Sequence, residues 1–232
     1  MSFRLRGFEA TELNPNLDAN SCEKRGKQSI TDLGDGSEVV YVPRFLSAER
    51  AWAWFDYLDK EIPWTRPLIH VFGRSCLQPR DSCYVASEGL TALKYSGYQP
   101  HVHEALPGTR FNSLLLNRYK HGSDYVAWHS DDEKLYGSTP KIASVSFGCE
   151  REFLLKKKPV KKEASNASEE QRHKRLKISC QDHHSFLLKH GSLLVMRGYT
   201  QRDWLHSVPK RAKSNSVRIN LTFRQIVMCK MP

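Results

Sequence analysis

Apolar residues begin to recur regularly at residue 39, first with strand spacing and then with helix spacing. Val-Val-Tyr-Val at 39–42 is a β-branched run that ends at Pro43, and it predicts a short strand. Ser47 is a typical helix N-cap, and the apolar residues after it recur every three or four positions as far as Pro63. These apolar residues are Ala51, Trp54, Phe55, Leu58 and Ile62. The pattern predicts an amphipathic helix that packs its apolar face against a core.

From Leu68 onward the apolar pattern consists of short runs separated by turn residues. Strands are predicted at 71–73, 91–97, 111–119, 142–147, 153–155, 186–188, 192–196 and 217–226. Many short strands with at least one helix packed outside them are typical of a double-sheet jelly roll. We therefore predict a mainly β fold with outer helices, built around a double-stranded β-helix (jelly roll) core.

Two polar stretches set the predicted domain organisation. Residues 1–38 have little apolar periodicity and contain Gly34 and Gly36, so we predict a flexible N-terminal segment followed by one domain over 39–232. Within that domain, residues 156–185 are polar and rich in lysine and arginine, which indicates a basic hairpin insertion. The insertion has three interpretations: a solvated loop, a loop for backbone phosphates or a nuclear-import signal.

Composition and charge restrict the class of protein. The chain of 232 residues carries a formal net charge of +11, which indicates an acidic polymer as partner, although lysine-rich loops on an ordinary protein would give the same excess. No apolar run approaches the roughly 20 residues that cross a bilayer, so no membrane is expected. Residues 1–18 are too polar for a signal peptide. Six cysteines without a C-x-x-C pair indicate reduced intracellular thiols rather than a zinc site.

Two histidines and an aspartate are the candidate metal ligands. His129 and Asp131 are two positions apart, so in an extended segment both side chains point to the same side and can reach one ion. This H-x-D spacing alone is weak evidence. Together with His206, however, it gives two histidines and one carboxylate, the facial triad that holds Fe(II) and leaves coordination positions open.

The run 218–224 predicts a strand with one polar face. Its alternate positions hold Arg218, Asn220, Thr222 and Arg224, and apolar residues fill the positions between them. Two arginines inside a barrel need an acidic ligand, because an unpaired buried charge is unfavourable, and the guanidinium fork suits a carboxylate. Asn117 and Tyr119 also share a face, so an amide and a phenol can complete the hydrogen bonds of such a ligand.

A resemblance to a known family rests on several runs that follow one another along the chain. They are Asn117-Arg118-Tyr119, His129-Ser130-Asp131-Asp132-Glu133, Ala143-Ser144-Val145-Ser146-Phe147-Gly148, His190-Gly191-Ser192-Leu193-Leu194, His206-Ser207-Val208-Pro209 and the run Arg218–Arg224. In order and spacing, over about residues 41–227, the chain resembles the AlkB family of Fe(II)- and 2-oxoglutarate-dependent nucleic-acid dealkylases, especially its eukaryotic DNA-repair members.

The resemblance implies a cofactor set and a reaction. The residues that ligate the iron are His129, Asp131 and His206. With Fe(II), 2-oxoglutarate and O2, the family oxidises an N-methyl group on a base and releases formaldehyde, succinate and carbon dioxide. The expected function is therefore direct reversal of 1-methyladenine- and 3-methylcytosine-type damage in DNA.

The residues that the resemblance assigns to 2-oxoglutarate are Asn117, Tyr119, Arg218, Asn220 and Arg224. Arg218 meets the distal carboxylate, helped by Tyr119 and Asn220. Asn117 and Arg224 lie near the carboxylate that chelates the iron.

The resemblance also implies substrate contacts at Phe72, Tyr95, Ser96, Asp132, Glu133, Lys210 and Arg211. Asp132, grouped with the catalytic residues, borders the damaged base and is expected to read its exocyclic amine. Tyr95 stacks on one face of that base, and His129 lies beneath the other. Lys210 and Arg211 follow the third iron ligand and either hold phosphates or form a solvated basic loop.

The route to the base leaves the form of the nucleic acid open. A methyl group on the pairing edge lies inside a duplex, so the enzyme acts on single strands or flips the base out. Phe72 resembles the wedge of duplex-acting relatives, and an ordinary buried strand residue is the alternative. The runs 78–80 and 128–133 resemble single-strand-preferring relatives instead. Alkylated DNA is therefore the predicted partner, single-stranded or duplex, with RNA as an alternative.

Three other functions remain as alternatives. They are an RNA demethylase of the same family, a 2-oxoglutarate oxygenase acting on proteins or small molecules, and a nucleic-acid-binding module with a vestigial iron site. The basic charge and Phe72 argue against the second, and the complete triad with both arginines argues against the third. We expect a monomer located in the nucleus, with the cytoplasm as a second location, and the sequence leaves any protein partners open.

Overall fold

Strands dominate the part of the chain that the computed structural model describes, namely residues 26–71, 74–87, 90, 101–103, 111–159, 182–212 and 214–227. The strands are β1 Ser29–Gly34, β2 Ser37–Val42, β3 Leu68–Val71, β4 Arg74–Leu77, β5 Asp81–Ser87, β6 His101–His103, β7 Ser113–Tyr119, β8 Val126–His129, β9 Ile142–Gly148, β10 Arg151–Lys157, β11 His183–Leu188, β12 Ser192–Gly198, β13 Trp204–Val208 and β14 Arg218–Arg224. Within the same residues the helical elements are α1 Ala48–Glu61, the 3-10 turn Lys134–Tyr136 and α2 Thr200–Asp203.

A large and a small sheet face each other. The large sheet has the order β1-β2-β12-β9-β14-β7-β5-β6 and the small one the order β11-β10-β13-β8, while β3 and β4 form a separate hairpin. Side chains from both sheets share one buried cluster, with Tyr119, Ile142 and Met196 from the large sheet and Leu155 and Trp204 from the small one. This arrangement confirms the predicted mainly β jelly roll.

Helix α1 covers the outer face of the large sheet. Ser47 caps the helix, since its Oγ accepts a hydrogen bond from the backbone N–H of Arg50. Ala51 and Leu58 are completely buried and pack in one cluster with apolar residues of the sheet such as Leu221. The predicted helix is confirmed, together with its cap and its buried face.

The large sheet begins earlier than the sequence predicts. β1 lies within residues 1–38, which the pattern assigns to a flexible segment, and it pairs with β2 across a tight turn at Asp35-Gly36. Asp35 and Gly36 have φ angles of +53° and +74°, the left-handed backbone of a type I′ hairpin, in which Asp-Gly is favoured. The prediction is therefore wrong for residues 29–34, because a mostly exposed edge strand shows little apolar pattern. The Asp-Gly pair at 35–36 is a sequence signal for the hairpin turn that follows this strand. Residues 1–25 lie outside the described residues.

Strand β5 is a second element that the apolar pattern does not predict. It lies between β7 and β6 in the large sheet, and six of its seven residues are buried. A strand covered on both faces shows no alternation of apolar and polar residues. The sequence Asp-Ser-Cys-Tyr-Val-Ala-Ser at 81–87 therefore carries no strand signal, although it holds polar side chains close to the pocket described below.

Several predicted features fall on residues that the structure does not describe. The run 91–97, the pair Phe72-Gly73 and residues 160–181 of the basic insertion lie outside the described ranges. The two strands that flank the insertion, β10 and β11, pair antiparallel. In the described part of the chain, no helix is long and apolar enough to cross a membrane.

Candidate active site

A pocket of about 510 Å3, including the space at its open mouth, lies between the two sheets. All of the residues predicted to hold iron or 2-oxoglutarate line this pocket. They are Asn117, Tyr119, His129, Asp131, His206, Arg218, Asn220 and Arg224. Strands β7 and β14 of the large sheet supply one wall, and strands β8 and β13 of the small sheet supply the other. The fold thus gathers residues that are far apart in the sequence.

The two predicted metal-ligating histidines lie side by side on paired strands. His129 ends β8 and is the register partner of His206 in β13, and their ring centroids are 4.2 Å apart. The Nδ1 of His129 lies 2.8 Å from the backbone oxygen of Ala127, which can only accept a hydrogen bond. Nδ1 therefore carries the proton, and Nε2 keeps its lone pair for a metal ion. Asp131, two positions beyond His129, is completely buried in the same pocket.

The protonation states of these three side chains suit metal binding. Burial lowers the pKa of His129 and holds the pKa of His206 well below its ordinary value, so both imidazoles are neutral at physiological pH. Burial alone would raise the pKa of Asp131, but the charge and hydrogen bonds of Arg224, together with smaller contributions from neighbouring side chains, outweigh this effect, and the pKa lies at about 2. The site thus presents two neutral nitrogen donors and one carboxylate, a donor set that fits Fe(II).

Asp131 is fixed from two sides. Arg224 donates from Nη2 to Oδ1 and Oδ2 at 3.0 and 2.9 Å, and from Nε to Oδ2 at 3.2 Å. The backbone N–H of Asp131 donates to Oε1 of Gln201 at 2.9 Å. Within the described residues, no three His, Cys, Asp or Glu side chains already stand close enough together to hold an ion. Arg224 bonds both oxygens that this predicted carboxylate ligand would offer to a metal ion.

Arg218 is a buried cation with unused donors. Its residue exposure is 1%, its Nη2 donates to Ser146 Oγ at 3.0 Å, and its Nε and Nη1 have no hydrogen-bond partner among the described residues. The ring of Tyr119 lies 5.0 Å from the guanidinium carbon. Because a buried guanidinium without partners is unfavourable, these donors indicate an anionic ligand in the pocket.

The two arginines of β14 differ in their need for a ligand. Both are predicted to bind an acidic ligand, but Arg224 already has a carboxylate partner in Asp131. Arg218 has no such carboxylate partner among the described residues. The predicted separation of faces is confirmed, since the intervening Ile219 and Phe223 pack in the cluster beneath α1.

A row of polar residues crosses the large sheet along one wall of the pocket. Ser82 in β5 pairs with Asn117 in β7, Asn117 pairs with Asn220 in β14, and Asn220 pairs with Ser146 in β9. Directly opposed residues of antiparallel strands point to the same face. Asn220 is fixed within this row, because its Nδ2 donates to Ser144 Oγ at 2.7 Å.

Several residues that support the site were not predicted. They are Arg80, Ser82, Ser144, Ser146 and Gln201, each of which lines the pocket or hydrogen-bonds to a residue that does. Ser144 and Ser146 alternate with apolar residues in β9, so a period-two pattern could have revealed them. Arg80 and Gln201 lie outside the strands, and only their long-range contacts reveal a role.

The predicted base contacts Asp132 and Glu133 are exposed and lie outside the pocket lining. Asp132 is two residues before the 3-10 turn, and its Oδ2 accepts a hydrogen bond from Lys158 Nζ at 2.9 Å. Burial alone would raise the pKa of Asp132, but the hydrogen bonds from Lys158 and Ser130 and the charge of Lys158 together lower it below its ordinary value. Asp132 therefore stands ionised on the surface next to the buried Asp131.

The predicted phosphate contacts lie on the loop after β13. Lys210 places its Nζ 5.0 Å from the ring centroid of Tyr125, and Arg211 lies 3.7 Å from a carboxylate oxygen of Glu150. Part of the charge of Arg211 is therefore already balanced within the protein. The remaining predicted substrate contacts, Phe72, Tyr95 and Ser96, lie outside the described residues.

Comparisons with known proteins identify the family of the chain. The model of the 2OG-Fe(II) oxygenase superfamily matches residues 38–224. The chain is 58% identical to DNA oxidative demethylase ALKBH2 of Arabidopsis thaliana, over 91% of this chain and 73% of that relative. It is 32% identical to DNA oxidative demethylase ALKBH2 of Homo sapiens, over 96% and 87% of the two chains. It is also 35% identical to the human alpha-ketoglutarate-dependent dioxygenase alkB homolog 3, over 82% and 66%.

A solved structure shows the same fold. The structure of OsALKBH1 matches with a TM-score of 0.51 at 17% sequence identity, over 85% of this chain and 100% of that chain.

Proposed function

The chain belongs to the 2OG-Fe(II) oxygenase superfamily, and from this premise we propose that it removes N-alkyl groups from DNA bases by oxidative demethylation. The enzyme uses Fe(II), 2-oxoglutarate and O2. Its relatives at 58% and 32% identity are DNA oxidative demethylases by name. The lesions that fit this chemistry are of the 1-methyladenine and 3-methylcytosine type.

We assign the iron to His129, Asp131 and His206. The neutral histidines and the ionised aspartate support this assignment, as does the hydrogen bond that leaves Nε2 of His129 free. Arg224 helps by keeping Asp131 ionised and oriented before the ion arrives. When bound, the iron and 2-oxoglutarate activate O2 to hydroxylate an N-methyl group, with succinate and carbon dioxide as products.

The observation that carries the proposal is that Arg218 lines the same pocket as this triad. Its free Nε and Nη1 groups point to a carboxylate ligand, and 2-oxoglutarate has a distal carboxylate to offer. Tyr119 and Asn220 lie next to Arg218 in the pocket lining and would complete the hydrogen bonds of that carboxylate. Asn117 and Arg224 are assigned to the carboxylate nearest the iron.

We assign the entrance of the pocket to the damaged base. Asp132 is ionised and follows the metal-binding aspartate directly, so it can accept a hydrogen bond from an exocyclic amine. Glu133, Lys210 and Arg211 are proposed as further contacts to the nucleic acid. The net charge of +11 supports a polyanionic substrate.

The test is a substrate panel. The enzyme is supplied with 1-methyladenine or 3-methylcytosine in single-stranded DNA, duplex DNA and RNA, and the product is analysed by mass. We expect loss of one methylene mass unit from DNA together with formaldehyde. Demethylation of RNA alone would replace this proposal with an RNA demethylase, and no oxidation of any nucleic acid would overturn it.

The enzyme is further proposed to act as a monomer in the nucleus, with the cytoplasm as a second location. The DNA substrate and the basic charge support the nuclear location. Light scattering of the purified protein measures its molar mass and so tests whether it is a monomer. Microscopy of the tagged full chain tests its location in the cell. A stable dimer, or exclusion from the nucleus, would contradict these two proposals.

A further inference from the structure

Two donors converge on the side-chain oxygen of Asn117. Arg80, which immediately precedes β5, is 8% exposed, and its Nε donates to Asn117 Oδ1 at 2.7 Å. Ser82 Oγ donates to the same oxygen at 3.0 Å. Ser82 and Asn117 are direct register partners, so the serine can reach the amide without any distortion of the sheet.

These bonds allow only one orientation of the Asn117 amide. A guanidinium has donors and no acceptor, so a reversed amide would set its NH2 group against the N–H of Arg80. Oδ1 is therefore directed at Arg80 and Ser82. The Nδ2 group is the end of the amide that remains for a ligand in the pocket, which Asn117 lines. An amide N–H2 in that position can donate to a carboxylate.

We propose that Arg80 and Ser82 are positioning residues that turn the amide of Asn117 so that its Nδ2 donates to 2-oxoglutarate at the end that binds the iron. The inference rests on the proposed function for the identity of the ligand. Without the two donors, the amide can rotate and present its oxygen to an anionic carboxylate, which repels it. Arg80 and Ser82 thus set the affinity for the cosubstrate although Asn117 makes the contact.

The experiment tests whether Arg80 affects the binding of 2-oxoglutarate through Asn117 or by contacting the cosubstrate itself. Mn(II) replaces Fe(II) so that no turnover consumes the cosubstrate, and 2-oxoglutarate is titrated by calorimetry into wild type, Arg80→Met, Asn117→Ala and the double variant. We expect Arg80→Met to weaken binding about tenfold, as loss of an oriented hydrogen bond does. The double variant should have the same affinity for 2-oxoglutarate as Asn117→Ala alone, because the effects of two residues that act as one unit do not add.

The control is Arg66→Met, which removes another partly buried arginine that bonds Asp81 and Asp124 outside the pocket lining. Its affinity for 2-oxoglutarate should equal that of wild type. An unchanged affinity in Arg80→Met, or losses that simply add in the double variant, would overturn the positioning role. Failure of the wild type to bind 2-oxoglutarate would instead overturn the proposed function.

A second variant keeps the inference testable if Arg80→Met does not fold. Asn117→Asp retains an oxygen for Arg80 and Ser82 but replaces the Nδ2 donor by a second oxygen. This variant should melt at or above the wild-type temperature, because Arg80 gains a charged partner, and yet bind 2-oxoglutarate more than tenfold more weakly. Wild-type affinity in a folded Asn117→Asp protein would show that Nδ2 does not face the cosubstrate.

Discussion

Arg224 and Asp131 form a bidentate ion pair inside the pocket, with 2.9 Å between Nη2 and Oδ2 and side-chain exposures of only 4% and 2%. The pair joins the last residue of β14 to the carboxylate assigned to the metal. A buried carboxylate is unfavourable without a partner, so Arg224 keeps the ligand charged and in place when no ion is bound. Asp131 would hold the iron with one of the two oxygens that Arg224 now bonds.

Arg224→Met should strongly destabilise the metal-free protein. The substitution leaves Asp131 buried and unpaired, which should lower the free energy of unfolding by about 3–5 kcal/mol. Unfolding in urea of the metal-free protein measures the loss, and added Mn(II) should recover part of it by replacing the missing positive charge. The control is Arg197→Met, whose partly exposed pair with Glu38 contributes less than about 1 kcal/mol. Equal losses in the two variants would contradict the buried role of Arg224.

Each residue of the triad should be essential for turnover but not for binding of DNA. His129→Ala, Asp131→Ala and His206→Ala remove iron ligands, whereas phosphate contacts elsewhere supply most of the non-specific affinity. Formaldehyde release should fall to background while the dissociation constant for methylated DNA stays within a few-fold of wild type. His121→Ala, which changes an exposed histidine outside the pocket, is the control. Strong residual formaldehyde release in a triad variant would refute the iron assignment.

Arg218→Ala should mainly weaken the binding of 2-oxoglutarate. Removing one side of a buried charge pair costs on the order of 3–5 kcal/mol, so the affinity should fall by two orders of magnitude or more. Calorimetric titration with Mn(II) present measures the change. Arg202→Ala, which removes an exposed arginine paired with Asp203, should leave the affinity unchanged. The same cosubstrate affinity in Arg218→Ala and wild type would show that β14 does not hold 2-oxoglutarate.

Asp81 should make the stability of the fold depend on acid pH. Burial alone would raise its pKa, but hydrogen bonds from Arg118, Lys120 and Arg66 together lower it below the ordinary value. A lowered folded pKa means that the stabilisation is fully present above the unfolded pKa of about 3.9 and is lost as the pH falls through the folded value. The free energy of unfolding of wild type minus that of Asp81→Asn should therefore be constant near pH 6 and shrink below about pH 4. A difference that does not change with pH would contradict the assignment.

Phe72 is the sharpest test of the predicted wedge. If it fills the gap left by a flipped base, Phe72→Ala should impair repair of duplex DNA far more than repair of single strands, since only a duplex must be unstacked. Repair rates on both substrates and the melting temperature of the variant are measured together. Equal loss on both substrates with a lowered melting temperature would identify a core residue, for which Phe→Ala costs about 3–5 kcal/mol.

Local patterns in the sequence determined the elements that carry the site. The alternation in β14 predicted its polar and apolar faces, because successive side chains of a strand point to opposite sides. Ser47 and the apolar spacing after it predicted α1 with its cap and buried face. The two-residue spacing of His129 and Asp131 predicted side chains on one side of an extended segment, and both line the pocket.

Only the tertiary structure decided how the charges of the site are matched. A polar residue in a buried strand shows that some partner must exist, but the sequence does not say which of several distant groups supplies it. Arg224 pairs with Asp131 at a separation of 93 positions, whereas Arg218 keeps two donors without a partner in the part of the chain that the structure describes. Arg80 meets Asn117 because β5 lies beside β7, an order of strands that no local pattern encodes. Hydrogen bonding and ion pairing act at contact distance, and strand order sets which residues come into contact.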